Sequence, residues 1–394
     1  MSEFKDTAHL ALHQHGKSRV RVGRVWRGAD GGAPHTFVEW SVGTMLESDM
    51  ERAFTDGDNE GMTATDTQKN LVSRFSWGEG RFGLARRVVP AAAAAVARAA
   101  LEGPRDSSKH QTFPPFQTTT PKQVYYVAKR MDKPCSPEEY AAALARSLVA
   151  KYPRVSRARV TVEQAPWQRF AGSGAGGGGG GVSGGGGVSG AAPSSPAPHD
   201  HCYVASGTEV RTARVVAEKT GAVDVRAGAR ELRILKTTQS GYSGFLRDAH
   251  TALADSADRM MATSVTAEWR YDPARVQGPA GAFDYDAAFT AARSGLLDAA
   301  FGPPRGGVFS PSVQYTLFEM AGLAMRRSPH VESVFLNMPN LHFIPAQIKG
   351  PPPHNAFADD VYVATSEPHG DIEAVVTRRQ LGGSGFAAPH LSKL

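Results

Sequence analysis

The sequence is poor in cysteine and contains no long hydrophobic run. Its 394 residues include two cysteines, Cys135 and Cys202, too few for a disulfide framework or a site built from several thiolates. No stretch approaches the roughly 20 apolar residues that a membrane-spanning helix needs, and no apolar signal segment begins the chain. We therefore expect an intracellular protein with reduced thiols and no membrane partner.

Clustered basic charge is also missing, although the chain as a whole is basic. The formal net charge is +6 and the pI is about 9.3, yet the 44 lysines and arginines are spread along the chain. No RNP, zinc-finger or basic-helix pattern groups them. We expect no nucleic-acid partner, and a small anionic substrate would account for the charge equally well.

A polar segment between two predicted strands, residues 232–265, is the first candidate for a site. At its start Leu232, Ile234 and Lys236 alternate with residues of the opposite face, which is typical of a strand. The pattern breaks at Gly241, continues as a predicted short polar helix, and returns to a strand. Its Thr, Gln, Tyr, Arg and Asp side chains are costly to bury without partners, so the segment favours a binding site over a core.

The first half of the chain begins with a predicted hairpin. Strand-like residues 17–26 and 36–45 flank a turn rich in Gly and Pro. The apolar spacing of residues 64–77 then predicts a helix, at whose start Thr65 and Gln68 have the capping-box spacing.

Two low-complexity inserts interrupt this half on either side of a second helix. Residues 78–121 surround a poly-alanine tract, and residues 171–198 form a second insert in which 13 of the 20 residues 171–190 are glycine, which favours a flexible coil. Between the inserts, Ser-Pro followed by Glu at the capping-box spacing predicts a helix over 136–152. Alternating residues predict strands over 158–163 and 202–216.

The second half repeats the order of the first. Its predicted elements are strands 232–239 and 260–271, helices 284–300 and 311–327 with Ser310 as the cap of the latter, and strands 331–344 and 360–378. The duplicated ββααββ order predicts an α+β fold of two antiparallel units with helices on one face of each sheet. We assign residues 1–224 to the first unit, 225–382 to the second and 383–394 to a flexible tail. The exposed sheet edges would need covering by another subunit.

The chain ends in Ser392, Lys393 and Leu394, the tripeptide that a peroxisomal import receptor reads. A tail rich in Gly and Ala precedes it, where a receptor would reach it. We therefore expect a peroxisomal location, with the import receptor as a partner.

An ordered set of short motifs resembles the urate oxidase (uricase) family. The motifs include HGKSRVRV at 15–22, ATDTQKN at 64–70, LKTTQSGYSGFLRD at 235–248, NMPNLHF at 337–343 and EPHG at 367–370. No single motif is decisive, but together they occur in family order over nearly the whole chain outside the inserts. The resemblance implies the tandem tunnelling fold, in which such units assemble into a barrel-like oligomer.

The resemblance also implies a reaction, the cofactor-free and metal-free oxidation of urate by O2 to 5-hydroxyisourate and hydrogen peroxide in purine catabolism. Lys17, Thr65 and His342 resemble the family's proton relay, and Thr65 would also contact the substrate. A lysine acts as a base only when burial or a nearby cation lowers its pKa. Taken singly, the three residues fit ordinary roles as a solvated lysine, a helix cap and a strand histidine.

The other contacts implied by the resemblance come mostly from the second half. Arg259 and Gln314 would clamp the substrate edge, since arginine offers a planar fork to an anion and glutamine offers both a donor and an acceptor. Backbone N–H groups of Val313 and Asp66 would add contacts. Asn340 would hold O2 or the attacking water over the face of the ring.

Two positions depart from the family. Tyr242 stands where relatives commonly stack a phenylalanine under the purine, and its added hydroxyl needs a partner if it is buried. Leu341 replaces a residue that is often basic in relatives. In the family, first-half and second-half residues meet across a subunit interface, so the resemblance implies an obligate homo-oligomer, expected to be a tetramer.

Two other functions remain open. One is another tunnelling-fold activity on a pterin-like substrate; zinc-dependent members need Cys and His ligands, and His199, His201 and Cys202 form the local cluster that would supply them. A structural role for that stretch is the more ordinary interpretation. The other function is urate binding without turnover, against which the presence of all three relay residues argues.

Overall fold

The computed structural model describes residues 8–28, 32, 34–63, 123–171, 197–276, 281–348, 350 and 357–379. The predicted helix over 64–77, the insert over 78–121 and the C-terminal tripeptide lie outside these residues, as does nearly all of the Gly-rich insert.

The described residues form twelve strands and six helices. The strands are β1 His15–Trp26, β2 Thr36–Ser48, β3 Val155–Gln164, β4 Trp167–Ala171, β5 Pro198–Ala205, β6 Val210–Glu218, β7 Val223–Lys236, β8 Met261–Tyr271, β9 Val331–Asn337, β10 Asn340–Pro345, β11 Tyr362–Gly370 and β12 Glu373–Thr377. The helices are α1 Glu51–Thr55, α2 Gln123–Arg130, α3 Pro137–Lys151, α4 Pro273–Val276, α5 Tyr285–Phe301 and α6 Val313–Arg327. Of these helices in the described ranges, none has the length and apolar character needed to cross a membrane.

Ten of these strands form one antiparallel sheet, and β4 and β5 form a small sheet of their own. The order along the large sheet is β1-β2-β3-β6-β7-β8-β10-β11, with β9 pairing to both β8 and β12. Because β6 pairs with β7, the two halves of the chain share a continuous sheet. The predicted α+β class is confirmed.

The predicted first hairpin is confirmed as well. β1 and β2 are antiparallel, with Val22 opposite Trp40. Trp40 is fully buried, and its ring stacks on Tyr140 of α3 with centroids 4.5 Å apart and planes at 19°. This contact fixes the apolar face of the hairpin against the helix.

The predicted helix over 136–152 forms with the start that its sequence specifies. The Ser136 hydroxyl accepts the Glu139 N–H at 3.1 Å, and the Glu139 carboxylate accepts the Ser136 N–H at 2.9 Å. Pro137 takes the first position, where its missing N–H has no intrahelical partner to lose.

The helices cover one face of the large sheet. Val160 of β3, Val215 of β6 and Trp269 of β8 are fully buried in a core that spans both halves of the chain. Alternate residues of the same strands point the other way, and that face carries ion pairs such as Arg226 with Asp224 at 3.1 Å.

Three of the predicted strands are wrong, because each predicted range contains two separate strands in the structure. Residues 202–216 contain the end of β5, a turn and most of β6, while 360–378 contain β11 and β12. Residues 331–344 contain β9 and most of β10, which both pair along the same side of β8. The break between them falls at Met338 and Pro339, since proline has no N–H to continue a ladder.

The start of α6 is also later than predicted. Ser312, not Ser310, is the cap, and its hydroxyl accepts the Tyr315 N–H at 3.1 Å. Ser310 is buried instead, and its hydroxyl lies 2.5 Å from that of Thr316. Ser310 therefore belongs to the segment that leads into the helix.

Candidate functional site

Residues 237–260, named here the site loop, connect β7 to β8. The predicted short polar helix in this stretch is wrong, because the loop is irregular and is closed by two backbone hydrogen bonds between Tyr242 and Ser256, at 2.8 and 2.9 Å. Within it, the Asp248 carboxylate accepts the His250 N–H at 2.9 Å. Such local side-chain bonds compete with helix formation.

Backbone hydrogen bonds tie the site loop to the segment that precedes α6. The Gly241 N–H donates to the Ser310 carbonyl at 2.8 Å, and the Ser310 N–H donates to Gln239 at 2.9 Å. The Arg259 N–H donates to Ser240 at 2.7 Å. Gly241 permits this close approach, since an added Cβ would lie 3.0 Å from both a phenylalanine ring and a backbone oxygen, which would have to shift. Arg259 and the start of α6 are thus held at one place.

Arg259 is a half-buried cation, and one of its N–H donors has no partner among the described residues. Its guanidinium carbon lies 5.2 Å from the centroid of the Tyr242 ring. Its Nε is buried and has no hydrogen-bond partner among the described residues. Burial lowers the pKa of the Arg259 guanidinium, and the nearby Tyr242 opposes that shift. A bound anion would supply both the missing acceptor and the opposite charge.

Tyr242 is not an open platform in this structure. Its half-buried ring stacks on Phe245, with centroids 4.8 Å apart and planes at 10°. Together with the Arg259 contact, this leaves less ring surface for a ligand than the sequence implied. A planar substrate would stack on Tyr242 only after one of these two neighbours moves.

Lys236 supports the site, and sequence reasoning missed it. The side chain is buried on the same strand face as Leu232 and Ile234, and its ammonium donates to the Val308 carbonyl at 2.5 Å. Burial lowers the pKa of Lys236. The bond fixes the segment that precedes α6. The available signal was a lysine at an apolar position of an alternating strand.

Val313 and Gln314 are the first two residues of α6. The Val313 side chain is buried, whereas Gln314 is exposed. The first N–H groups of a helix have no partner within it, and the helix dipole favours an anion at this end. The start of α6 therefore offers donors close to the segment that binds the site loop.

Asn340 and His342 lie on β10, next to the start of β8. Asn340 faces Thr263 of β8, and His342 faces Thr365 of β11. Both are half-buried. Because Arg259 comes two residues before β8 begins, the strand pairing places Asn340 and His342 at the same end of the sheet as Arg259.

Lys17 lies near the opposite edge of the large sheet. It is half-buried on β1, opposite Thr44 of β2, just before an irregularity in which Arg19 has a φ of 56°. Strands β2, β3, β6 and β7 separate β1 from β8. At about 4.8 Å per strand, β1 and β8 are about 24 Å apart along the sheet. The strand order therefore separates Lys17 from Arg259 within one chain.

Thr65 and Asp66 lie outside the described residues. Thr63, the last described residue before them, receives a hydrogen bond at 2.9 Å from His15 Nε2; a carbonyl only accepts, so Nε2 carries the proton. The other ring nitrogen, Nδ1, is buried and lacks a partner in the described part of the chain. Burial lowers the pKa of His15, which keeps the ring neutral beside the start of β1.

The cluster considered for zinc chemistry does exist. Ligand atoms of His199, His201 and Cys202 all lie within 4.8 Å of one another. They belong to β5 of the small sheet rather than to the site loop. The cluster is therefore not positioned to act at Arg259.

The fold and the site define a class: an α+β protein of tandem repeats, with a half-buried arginine beside a helix start. A family model described as "Uricase" matches residues 13–216 and 225–373. The chain belongs to the uricase family.

Individual relatives agree with this assignment. The chain is 34% identical over 367 residues to "Uricase-2 isozyme 1" of Glycine max, covering 93% of this chain and 94% of the relative. It is 34% identical over 368 residues to "Uricase" of Arabidopsis thaliana, with coverage of 93% and 94%. The crystal structure of uricase from Arthrobacter globiformis superposes with a TM-score of 0.66 at 24% identity, covering 97% of this chain and 98% of that one. That similarity shows a shared fold.

Proposed function

We propose that the protein oxidises urate with O2 and water to 5-hydroxyisourate and hydrogen peroxide, without a metal or organic cofactor. Arg259 carries this proposal, because it combines a half-buried charge with a buried Nε that has no partner among the described residues. A planar anion presents its edge to such a fork in two hydrogen bonds. Membership of the uricase family supports urate over a pterin-like substrate.

The clamp in this proposal consists of Arg259, the Gln314 side chain and the Val313 N–H. Its support is the backbone ladder that ties the site loop to the segment before α6. Tyr242 stacks under the purine after Arg259 swings from its ring to the substrate. Binding energy from the anion offsets the lost cation–π contact, which is worth about 1 kcal/mol.

The relay in this proposal consists of Lys17, Thr65 and His342, which remove a proton from bound urate. The Asp66 N–H and Thr65 add contacts to the substrate. The deprotonated ring gives two electrons to O2, which becomes hydrogen peroxide, and water supplies the oxygen added to the ring. Asn340 holds O2 or that water over the ring face.

We further propose that each site is shared by two copies of the chain in a homotetramer. About 24 Å of sheet separates β1 from β8 within one chain. Among the described residues the sheet ends in edge strands that include β1 and β11, and hydrophobic side chains near the latter are exposed, with Ile344 at 53% and Val363 at 55%. Open edges with apolar surface are costly in a monomer and are covered by association.

The two proposed repeat units span residues 1–224 and 225–382.

The proposed location of the protein is the peroxisome. The C-terminal Ser-Lys-Leu supports this location through its import receptor. A fluorescent fusion should enter peroxisomes and should become cytosolic when residues 392–394 are deleted. A deletion that leaves the fusion in peroxisomes would overturn the assignment of the signal.

The activity is tested by incubating chelator-treated protein with urate in the presence of O2. The proposal predicts loss of urate absorbance with release of one hydrogen peroxide per urate. The rate should be the same with and without chelator. A protein that binds urate without consuming it, or whose turnover is abolished by chelation, would contradict the proposal.

A further inference from the structure

The hairpin of β4 and β5 contains a large bulge. Its strands pair at Arg169 with Tyr203 and at Ala171 with Pro198. Between these pairs β4 has one residue, whereas β5 has four, residues 199–202. A regular strand would send neighbouring side chains to opposite faces, but a bulge re-aims them. The side chains of residues 199–202 of β5 can therefore point toward one another instead of alternating between the two faces.

Three potential metal ligands do converge in this bulge. The ligand atoms of His199, His201 and Cys202 lie within 4.8 Å of one another, and the two imidazole rings have centroids 4.7 Å apart. A fourth candidate comes from outside the hairpin, since the His35 ring centroid lies 6.0 Å from that of His201. Cys202 is an exposed free thiol.

The backbone of the bulge is held in place. Arg169 Nη1 donates to the carbonyls of His199 and Asp200 at 2.9 and 2.7 Å. The His35 N–H donates to the Asp200 carbonyl at 2.8 Å, and the Tyr203 hydroxyl donates to the His35 carbonyl at 2.5 Å. These bonds hold the backbone of the ligand-bearing residues and do not involve the proposed imidazole and thiol ligand groups. Two longer hydrogen bonds do involve the His199 ring.

Those two contacts show which nitrogen of His199 carries the lone pair. The backbone N–H groups of His201 and Cys202 both donate to His199 Nδ1, each at 3.2 Å. Nδ1 is therefore an acceptor that faces into the bulge. Both bonds are long, so a cation would replace them at small cost.

We propose that His199, His201 and Cys202 bind one Zn²⁺ ion, with His35 as the fourth ligand. Imidazole nitrogens with one thiolate suit Zn²⁺ and exclude Mg²⁺ and Ca²⁺, which prefer oxygen. In a tetrahedral zinc site with one thiolate and three imidazoles, the ligand atoms lie about 3.3 to 3.6 Å apart, so the side chains of His199, His201 and Cys202 close by about 1 Å on binding. Four protein ligands leave no open position for substrate. The ion is structural and ties the hairpin to the residue before β2.

Metal binding is measured directly and does not depend on turnover. Full-length protein is stripped with chelator, and Zn²⁺ alone is titrated in competition with a chromophoric indicator. We expect one equivalent to bind, with Cys202→Ser and His201→Ala each weakening affinity at least about tenfold. Cys135→Ser removes the other thiol and is the matched control, expected to bind as the unchanged protein does. Less than one equivalent, or equal affinity in Cys202→Ser and Cys135→Ser, would overturn the site.

Two further readouts separate the ligands from their surroundings. Co²⁺ in place of Zn²⁺ should give a thiolate charge-transfer band that Cys202→Ser abolishes and His35→Ala keeps with reduced affinity. Zn²⁺ should raise the melting temperature of the stripped protein and should leave that of His201→Ala unchanged. Without metal, His201→Ala and Cys202→Ser should melt as the stripped protein does, since both of these side chains are exposed. An affinity unchanged in His35→Ala would remove His35 from the ligand set.

Discussion

The two ends of the large sheet differ in how completely one chain builds them. Around Arg259, backbone hydrogen bonds at 2.7 to 2.9 Å join the site loop to the segment before α6, and the buried Lys236 braces that segment. Around Lys17, β1 is an edge strand with an irregularity just after the lysine. One region carries the proposed anion clamp, whose supporting backbone bonds form within one chain, while the other carries the proposed base on an edge strand of the described sheet.

This difference supports separate roles for two copies of the chain in the proposed site, one binding the substrate and the other removing its proton. In the proposed site, the clamp residues Arg259, Val313 and Gln314 all come from the second half, so most of the substrate binding would come from one chain. Proton removal depends on an edge strand that is about 24 Å away along the sheet. Catalysis, in contrast to binding, should therefore require assembly.

The largest expected effect is that of Arg259→Ala. We expect urate binding to be lost and kcat/KM to fall at least about a hundredfold, since a buried charge pair contributes about 3 kcal/mol. Steady-state kinetics and titration with an unreactive urate analogue would measure both quantities. Arg247→Ala is the matched control, because Arg247 lies on the same loop and contacts Phe245 rather than Tyr242. Equal losses in both variants would remove the clamp role from Arg259.

Lys17→Met should separate turnover from binding. We expect kcat to fall about a hundredfold, the usual contribution of a positioned base, while analogue affinity changes less than about threefold. Lys129→Met, at an exposed position of α2, should leave both unchanged. If Lys17→Met weakened analogue binding as strongly as Arg259→Ala does, the two ends of the sheet would not have separate roles.

Lys236→Met should weaken the positioning of the proposed clamp residues, although Lys236 itself has no contact with the substrate in this proposal. The Val308 carbonyl would lose its donor, at a cost of about 1 to 2 kcal/mol, and we expect KM to rise about tenfold with a smaller change in kcat. Arg233→Met changes an exposed residue of the same strand and is the control. A lower kcat at constant KM would indicate that Lys236 acts in the chemical step.

Tyr242→Phe should have the smallest effect. The ring contacts with Phe245 and Arg259 remain, so we expect kcat/KM to change less than about threefold. Tyr242→Ala, which removes the ring, should raise KM clearly more. A large loss in Tyr242→Phe would assign a role to the hydroxyl, and an unchanged KM in Tyr242→Ala would exclude stacking.

Local patterns predicted the elements well where the decisive contacts were local. The capping box at Ser136 and the hairpin of β1 and β2 were readable because each depends on neighbours in sequence. The break at Pro339 and the later start of α6 were not, since they depend on how β8 shares its edge and on where Ser310 is buried.

The candidate site, like the fold, could not be predicted from local patterns where it depends on contacts between residues distant in sequence. Family motifs named Arg259 and Gln314, but no local pattern could show that Phe245 already stacks on Tyr242 or that Lys236 braces Val308. The separation of Lys17 from Arg259 comes from the strand order, in which β3 and β6 lie between β2 and β7. That order is a property of the whole sheet.

The central claim is that one site combines Lys17 of one copy with Arg259 of another, and subunit mixing tests it most directly. Lys17→Met and Arg259→Ala chains, each nearly inactive alone, would be co-expressed and purified as mixed oligomers. A shared site predicts that random mixing restores about a quarter of the full activity, since one site in about four receives both intact residues. Activity no higher than that of the separate variants would place both residues in one chain and contradict the account.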